Sequence, residues 1–170
     1  MSDVAPLRPE FDFISSCLRA GCALDGVPAQ QSIEANQYLE MEGSFRSKGG
    51  MAACELVTEL LRGRTDQPIS MLARWIVERE VLSVSWRSCL MLPMFQFDFP
   101  SMAPRPPVRE VIRELGPVLG DWPLTLWFAK RNALLGGVAP VDAIDSNPAA
   151  VLGAAHAQHL VLLTQASSPS

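Results

Sequence analysis

Few side chains in this 170-residue sequence are placed for chemistry. His156 and His159 stand three residues apart, which puts both on one face of a helix. Such a pair can hold a metal only with carboxylate or thiolate partners, and none lies nearby in sequence. The four cysteines, Cys17, Cys22, Cys54 and Cys89, form no CxxC pair, which argues against the paired zinc motifs. They read as buried, reduced, small hydrophobes. Glu55 and Glu59 share a helix face at a spacing of four, the pattern of a solvated surface. No serine sits in a G-x-S-x-G elbow. Gly136-Gly137 lacks the flanking residues of a phosphate-binding loop. Nothing assembles a nucleophile, a base and an oxyanion site. The sequence therefore predicts no catalytic residues, no metal and no cofactor, and work done by binding.

The elements that position these residues follow from composition and periodicity. Hydrophobic residues make up 48% and charged residues 19%, the balance of a chain that buries a core and not of a disordered one. No apolar run reaches the length of a membrane span. The start of the chain lacks the basic and apolar regions of a signal peptide, so a cytoplasmic location is expected. Residues 1–10 read as a tail, 11–23 and 32–41 as helices, and 43–50 as a loop. Met51, Cys54, Val57, Leu60 and Leu61 recur at helical spacing, predicting a helix over 51–62 that Gly63 ends in a left-handed conformation. Pro68 opens a helix over 69–80 with Ile69, Leu72, Ala73 and Ile76 inward. Residues 81–86 alternate as a strand, Arg87-Ser88 turns, and 89–93 returns as a hairpin. The prolines at 100, 104, 106 and 107 mark a linker and a sub-domain boundary. An amphipathic helix follows, with Val108, Val111, Ile112 and Leu115 inward. Asp121 is expected to cap the next helix, and Ser146 or Asn147 the last, which starts at Pro148.

The C-terminal half carries a linear pattern from Trp75 to Ala155. Its strongest part is Trp127-Phe128, Asn132, Leu135-Gly136-Gly137, Pro140-Val141-Asp142, Pro148, Val151 and Ala154-Ala155. Upstream lies Pro93-Met94-Phe95-Gln96-Phe97-Asp98. In order and spacing these segments resemble the Xre/MbcA/ParS antitoxin family's C-terminal toxin-binding domain, with Arg131 in place of the usual proline before Asn132. The resemblance implies docking onto a cognate toxin, commonly a RES-domain enzyme that consumes NAD. It carries toxin contact onto Trp127, Asn132, Leu135, Gly136, Pro140, Asp142, Val151 and Ala155. The same residues also have packing roles: Trp127 and Phe128 as buried anchors, the glycine pair as a turn, and Asp142 as a partner for helix-start donors. Phe95 and Phe97 read as a hydrophobic clasp on one face, with Gln96 and Asp98 satisfying backbone groups or solvent.

The middle of the chain permits a second reading. The net charge of −4 is uneven: residues 1–45 carry −5, 46–87 carry +2 and 88–170 carry −1. Two helices and a hairpin over 46–92 resemble a degenerate winged helix-turn-helix. Ser70, Arg74 and Arg79 would face bases, with Arg46, Lys48 and Arg87 on phosphates. The expected fold is mainly α, a helical bundle with a short central β-hairpin. It divides into residues 1–45, a helix-turn-helix-like unit over 46–99, a toxin-binding helical domain over 100–163 and a tail over 164–170. The expected partners are a toxin protein, a second copy as homodimer, and DNA under the second reading; no membrane is expected.

Overall fold

The computed structural model describes residues 31–167, so the expectations for 1–30 lie outside the described residues. The described chain is mainly helical with a small antiparallel sheet: a helical bundle with a short hairpin. Helix α1 (Gln31–Phe45) leads through a 3-10 turn (Arg46–Lys48) to strand β1 (Met51–Ala53). Helices α2 (Cys54–Arg62) and α3 (Pro68–Val77) follow, then strands β2 (Val84–Trp86) and β3 (Cys89–Pro93). A 3-10 turn (Met94–Gln96) precedes the short ladder β4 (Phe97–Asp98) with β5 (Ala103–Pro104). The rest is helical: α4 (Pro106–Leu115), α5 (Asp121–Ala129), a 3-10 turn (Ala133–Leu135), α6 (Pro140–Ala143) and α7 (Pro148–Ala166). No helix among the described residues is long and apolar enough to cross a membrane.

Helical periodicity gives α2, α3 and α4 their buried faces. Cys54, Val57, Thr58 and Leu61 line α2, and Leu72, Ala73, Trp75 and Ile76 line α3. Val108, Val111, Ile112 and Leu115 line α4. Pro68 and Pro106 each open a helix where a missing N–H is harmless. The hairpin turns on Arg87 and Ser88, both at positive φ, which matches the twist of a two-residue connection.

Several expectations change. The helix expected over 51–62 starts at Cys54, because Met51–Ala53 pairs along β3 with Met51 opposite Pro93. The loop expected over 43–50 is helical through Phe45, whose side chain is fully buried. Gly49 then turns the chain at φ 98, and a Cβ there would lie 2.8 Å from the Met94 Cβ and 2.7 Å from the Phe99 ring. Gly63 ends α2 in a right-handed conformation, φ −76. Helix α3 stops at Val77, since Arg79 turns left-handed at φ 53. The α5 cap is Gly120; Asp121 instead receives the Arg79 guanidinium at 2.6 Å. The proline stretch is no free linker, since it supplies β5 and the first turn of α4. Residues 164–166, expected in a tail, extend α7. Cys54 is buried at the start of α2, as expected, but Cys89 is disulfide-bonded, contrary to the reduced state expected for it.

Two cores result. One unites Tyr38, Met41 and Phe45 of α1 with α4 to α7 and takes in Leu82 and Phe95. The other joins β1, α2 and α3 with Leu92, Met94, Phe97 and Met102. Phe95 and Phe97 thus serve different cores and do not form one clasp. Residues 81–83 are buried without joining the sheet, so their expected alternation is lost. Their partner is a side chain: the Leu82 N–H donates to Gln96 Oε1 at 2.6 Å, and Gln96 Nε2 donates to the Leu82 carbonyl at 2.9 Å. Gln96 is 1% exposed. Replacing Gln96 by Ala strands two buried backbone groups and is expected to cost about 3 kcal/mol. Urea unfolding measures it; a loss under about 1 kcal/mol would show that water or relaxation satisfies Leu82 instead.

Candidate functional site

The residues that carry the toxin-binding resemblance separate into two groups. Val151 and Ala155 are fully buried on the inner side of α7, and Pro140 is buried at the start of α6. These pack the bundle and have no surface to offer a partner. Gly136, at φ 65, ends the 3-10 turn, and the Asn132 side chain caps that turn by accepting from the Leu134 N–H at 2.9 Å. Leu135 is half-buried against the bundle core. Asp142 is exposed and caps no helix, since the cap of α6 is Ala139 without a side-chain bond. Trp127 is half-buried rather than buried, edge-on to Phe128 with ring centroids 5.3 Å apart, and its Nε1 has no hydrogen-bond partner.

Trp127 and Asn132 line a surface groove of about 350 Å³ between the end of α5, the 3-10 turn and α7. Lys130, Arg131, Leu134, Ala154, Ala157 and Val161 line it with them. Large apolar side chains around this part of the molecule are uncovered: Leu134 is 66% exposed, Leu160 65%, Val161 48% and Leu163 46%. Sequence reasoning missed these four. A signal was present, because the apolar run over 160–163 outlasts any single inward face of a helix.

The nucleic-acid candidates fare differently. Arg79 lies across the end of α4, donating to the carbonyls of Gly116 (2.6 Å) and Leu119 (3.0 Å) and to Asp121. Lys48 is paired with Asp145. Arg87 stacks over the Trp86 ring at 5.2 Å, and Trp86 stacks in turn on Tyr38. Ser70 and Arg74 are exposed on α3, but Asp66 and Glu78 line the same surface hollow of about 520 Å³. One cation against two acids gives this face no excess positive charge for phosphates. Arg46 is exposed on the turn after α1.

The histidine pair has a partner far away in sequence. His156 Nδ1 and His159 Nδ1 lie 2.8 and 2.7 Å from the same Glu114 Oε1 on α4. Burial works against ionisation of Glu114, but the bonds from His156 and His159 hold its pKa below its usual value. The trio ties α7 to α4; no group of three His, Cys, Asp or Glu among the described residues is arranged to hold a metal ion. Glu59 pairs with Arg62 on the exposed face of α2. No family model, curated protein or solved structure matches the chain.

Asp145, after α6, joins the turn after α1 to the segment before α4 by accepting from both Lys48 and Arg105. The Lys48 bond has the largest effect; burial opposes it and Arg105 adds to it, so the carboxyl is held below its ordinary pKa. Because the folded pKa is depressed, this stabilisation is complete above the unfolded value of about 4 and is lost as pH falls through the folded value. Asp145→Asn is therefore expected to be less stable than the parent near neutral pH. The gap should stay under about 1 kcal/mol, given the exposure of the carboxylate, and close in acid. Urea midpoints across pH measure this, and a gap that persists unchanged into acid would contradict the ion-pair assignment.

Proposed function

We propose that this chain is an antitoxin-like binding protein that docks onto and neutralises a cognate toxin through its C-terminal helical unit. The supporting observation is the outer end of α7. From Leu160 to Ser167 only Leu162 is half-buried; Leu160, Val161 and Leu163 are exposed, and Val161 lines the Trp127 groove together with Leu134. Contiguous apolar surface of this kind, rimmed by polar side chains, marks protein interaction sites. Tryptophan is among the residue types most enriched in binding hot spots, and Trp127 stands half-buried at this surface. The sequence resemblance supplies the class of partner, a toxin, with NAD-consuming RES enzymes as one such class. This reading keeps the cytoplasmic placement. The disulfide at Cys89 stands against it, since such bonds are rare in reducing compartments.

A regulator that grips DNA through residues 46–92 has less support. Three of its six basic or polar contacts are engaged within the fold, and the hollow beside α3 sets Asp66 and Glu78 against the single cation Arg74.

Tagged full-length protein should recover the toxin from native lysate, and Leu160→Ser/Leu163→Ser should recover at least about tenfold less of it. Both side chains are exposed, so circular dichroism of the variant should match the parent. Recovery of no toxin, or equal recovery by the variant, would reject this reading. Light scattering of the free protein identifies the competing case, in which a second copy of the chain covers the same surface.

A further inference from the structure

We propose that the groove beside Trp127 selects an acidic, amphipathic segment of the protein partner. Aliphatic side chains would seat on Trp127, Ala157 and Val161, while Asp or Glu side chains meet Lys130 and Arg131. The proposal rests on the antitoxin-like reading only for the partner being a protein.

Charge carries the argument. Lys48, Arg62, Arg79, Arg105 and Arg109 are each paired with a carboxylate. Lys130 and Arg131 are exposed and enter no ion pair among the described residues. No acidic side chain lines the groove among the described residues. Two adjacent uncompensated cations thus flank an apolar hollow on a chain whose net charge is −4. The carboxyl end of α5 contributes about half a negative charge there, which the two full charges exceed. Such a site attracts a carboxylate and repels a lysine or arginine placed at the same point, the arrangement that gives interfaces their selectivity. The groove also has room as well as attraction. Ala157 leaves space for an inserted side chain, and Leu134 and Val161 supply apolar contact. Two cations are too few to hold a nucleic-acid backbone, which needs several phosphates neutralised.

The test pans a phage-displayed random peptide library on immobilised full-length protein. Fluorescent copies of the enriched peptides are then measured by anisotropy. The expected peptides combine aliphatic or aromatic residues with Asp or Glu, and they bind more weakly as salt rises. Lys130→Glu/Arg131→Glu should weaken them at least about tenfold, and Lys130→Gln/Arg131→Gln should fall between. Enriched peptides without acids, equal binding to the charge-reversed protein, or no enrichment at all would each overturn the proposal. If Lys130→Glu/Arg131→Glu still captures the toxin undiminished, the antitoxin-like reading stands and this groove is not its seat. If acidic peptides are selected through Lys130 and Arg131 while no toxin is recovered, the groove assignment stands and the antitoxin-like reading falls.

Discussion

The fold turns on one side chain that does the work of a strand. Residues 81–83 run between the two cores and are buried throughout, yet Leu82 has no neighbouring strand at its level. An unpaired N–H and carbonyl at that depth would oppose folding. Gln96 answers both with one amide, oxygen to the N–H and nitrogen to the carbonyl. A carboxylate could not do this, because it has no proton to donate when ionised. The residues on either side of Gln96 then go separate ways. Phe95 enters the bundle core and Phe97 the helix-hairpin core. Fixing one amide therefore aims two aromatic rings in two directions, and the backbone between them becomes the seam of the molecule.

That seam explains why the chain folds back on itself. Helix α1 precedes the helix-hairpin unit in sequence but packs with α5 in the bundle that follows it. The unit spanning β1 to β5 is in effect inserted between α1 and α4. Insertions of this kind need their two ends held together, and both ends are tied. Gly50 accepts from the Met94 N–H at 2.9 Å, and Arg105 donates from its backbone to Gln96 at 2.8 Å and from its side chain to the Phe95 carbonyl. Asp145 adds a third tie by engaging Lys48 and Arg105 from the far side of the bundle. Arg79 makes a fourth, closing the end of α3 onto the α4–α5 connection. Cationic side chains that look free in the linear sequence are the fasteners of this arrangement.

How much could be read in advance depended on whether the determinant was local. The inner faces of α2, α3 and α4 were legible because burial at three- and four-residue spacing is written in one segment. The Arg87-Ser88 turn was legible because two short apolar runs flank it. Strand β1 was not, since Met51, Ala52 and Ala53 carry no strand preference and adopt it only because β3 offers an edge. The bundle's claim on α1 was hidden for a related reason. Tyr38, Met41 and Phe45 are sparse as a pattern and acquire meaning only against α5. At the candidate site, Trp127 and Asn132 line one groove, which their separation in sequence did not show. Lys130 and Arg131 could not be distinguished from the engaged cations, because Lys48 and Arg79 find their carboxylates 97 and 42 residues away.

Helix α7 shows how one sequence element can serve stability and recognition at once. Its first half presents Val151, Ala154 and Ala155 inward, small side chains that let the helix lie close against α4. His156 and His159 then grip Glu114, which marks where the bundle's hold on the helix ends. Beyond that point the apolar content does not fall, although nothing among the described residues covers it. A helix needing only to close the bundle would turn polar there, since exposed aliphatic surface adds no stability to the monomer and invites association. Because the inner half is anchored by packing and by two imidazoles, the outer half is held in place without having to bury itself. The residues that make the helix part of the fold are therefore not the ones free to meet a partner. Substitutions at Val151 or Ala155 act through stability, whereas substitutions at Leu160 or Val161 act at the surface.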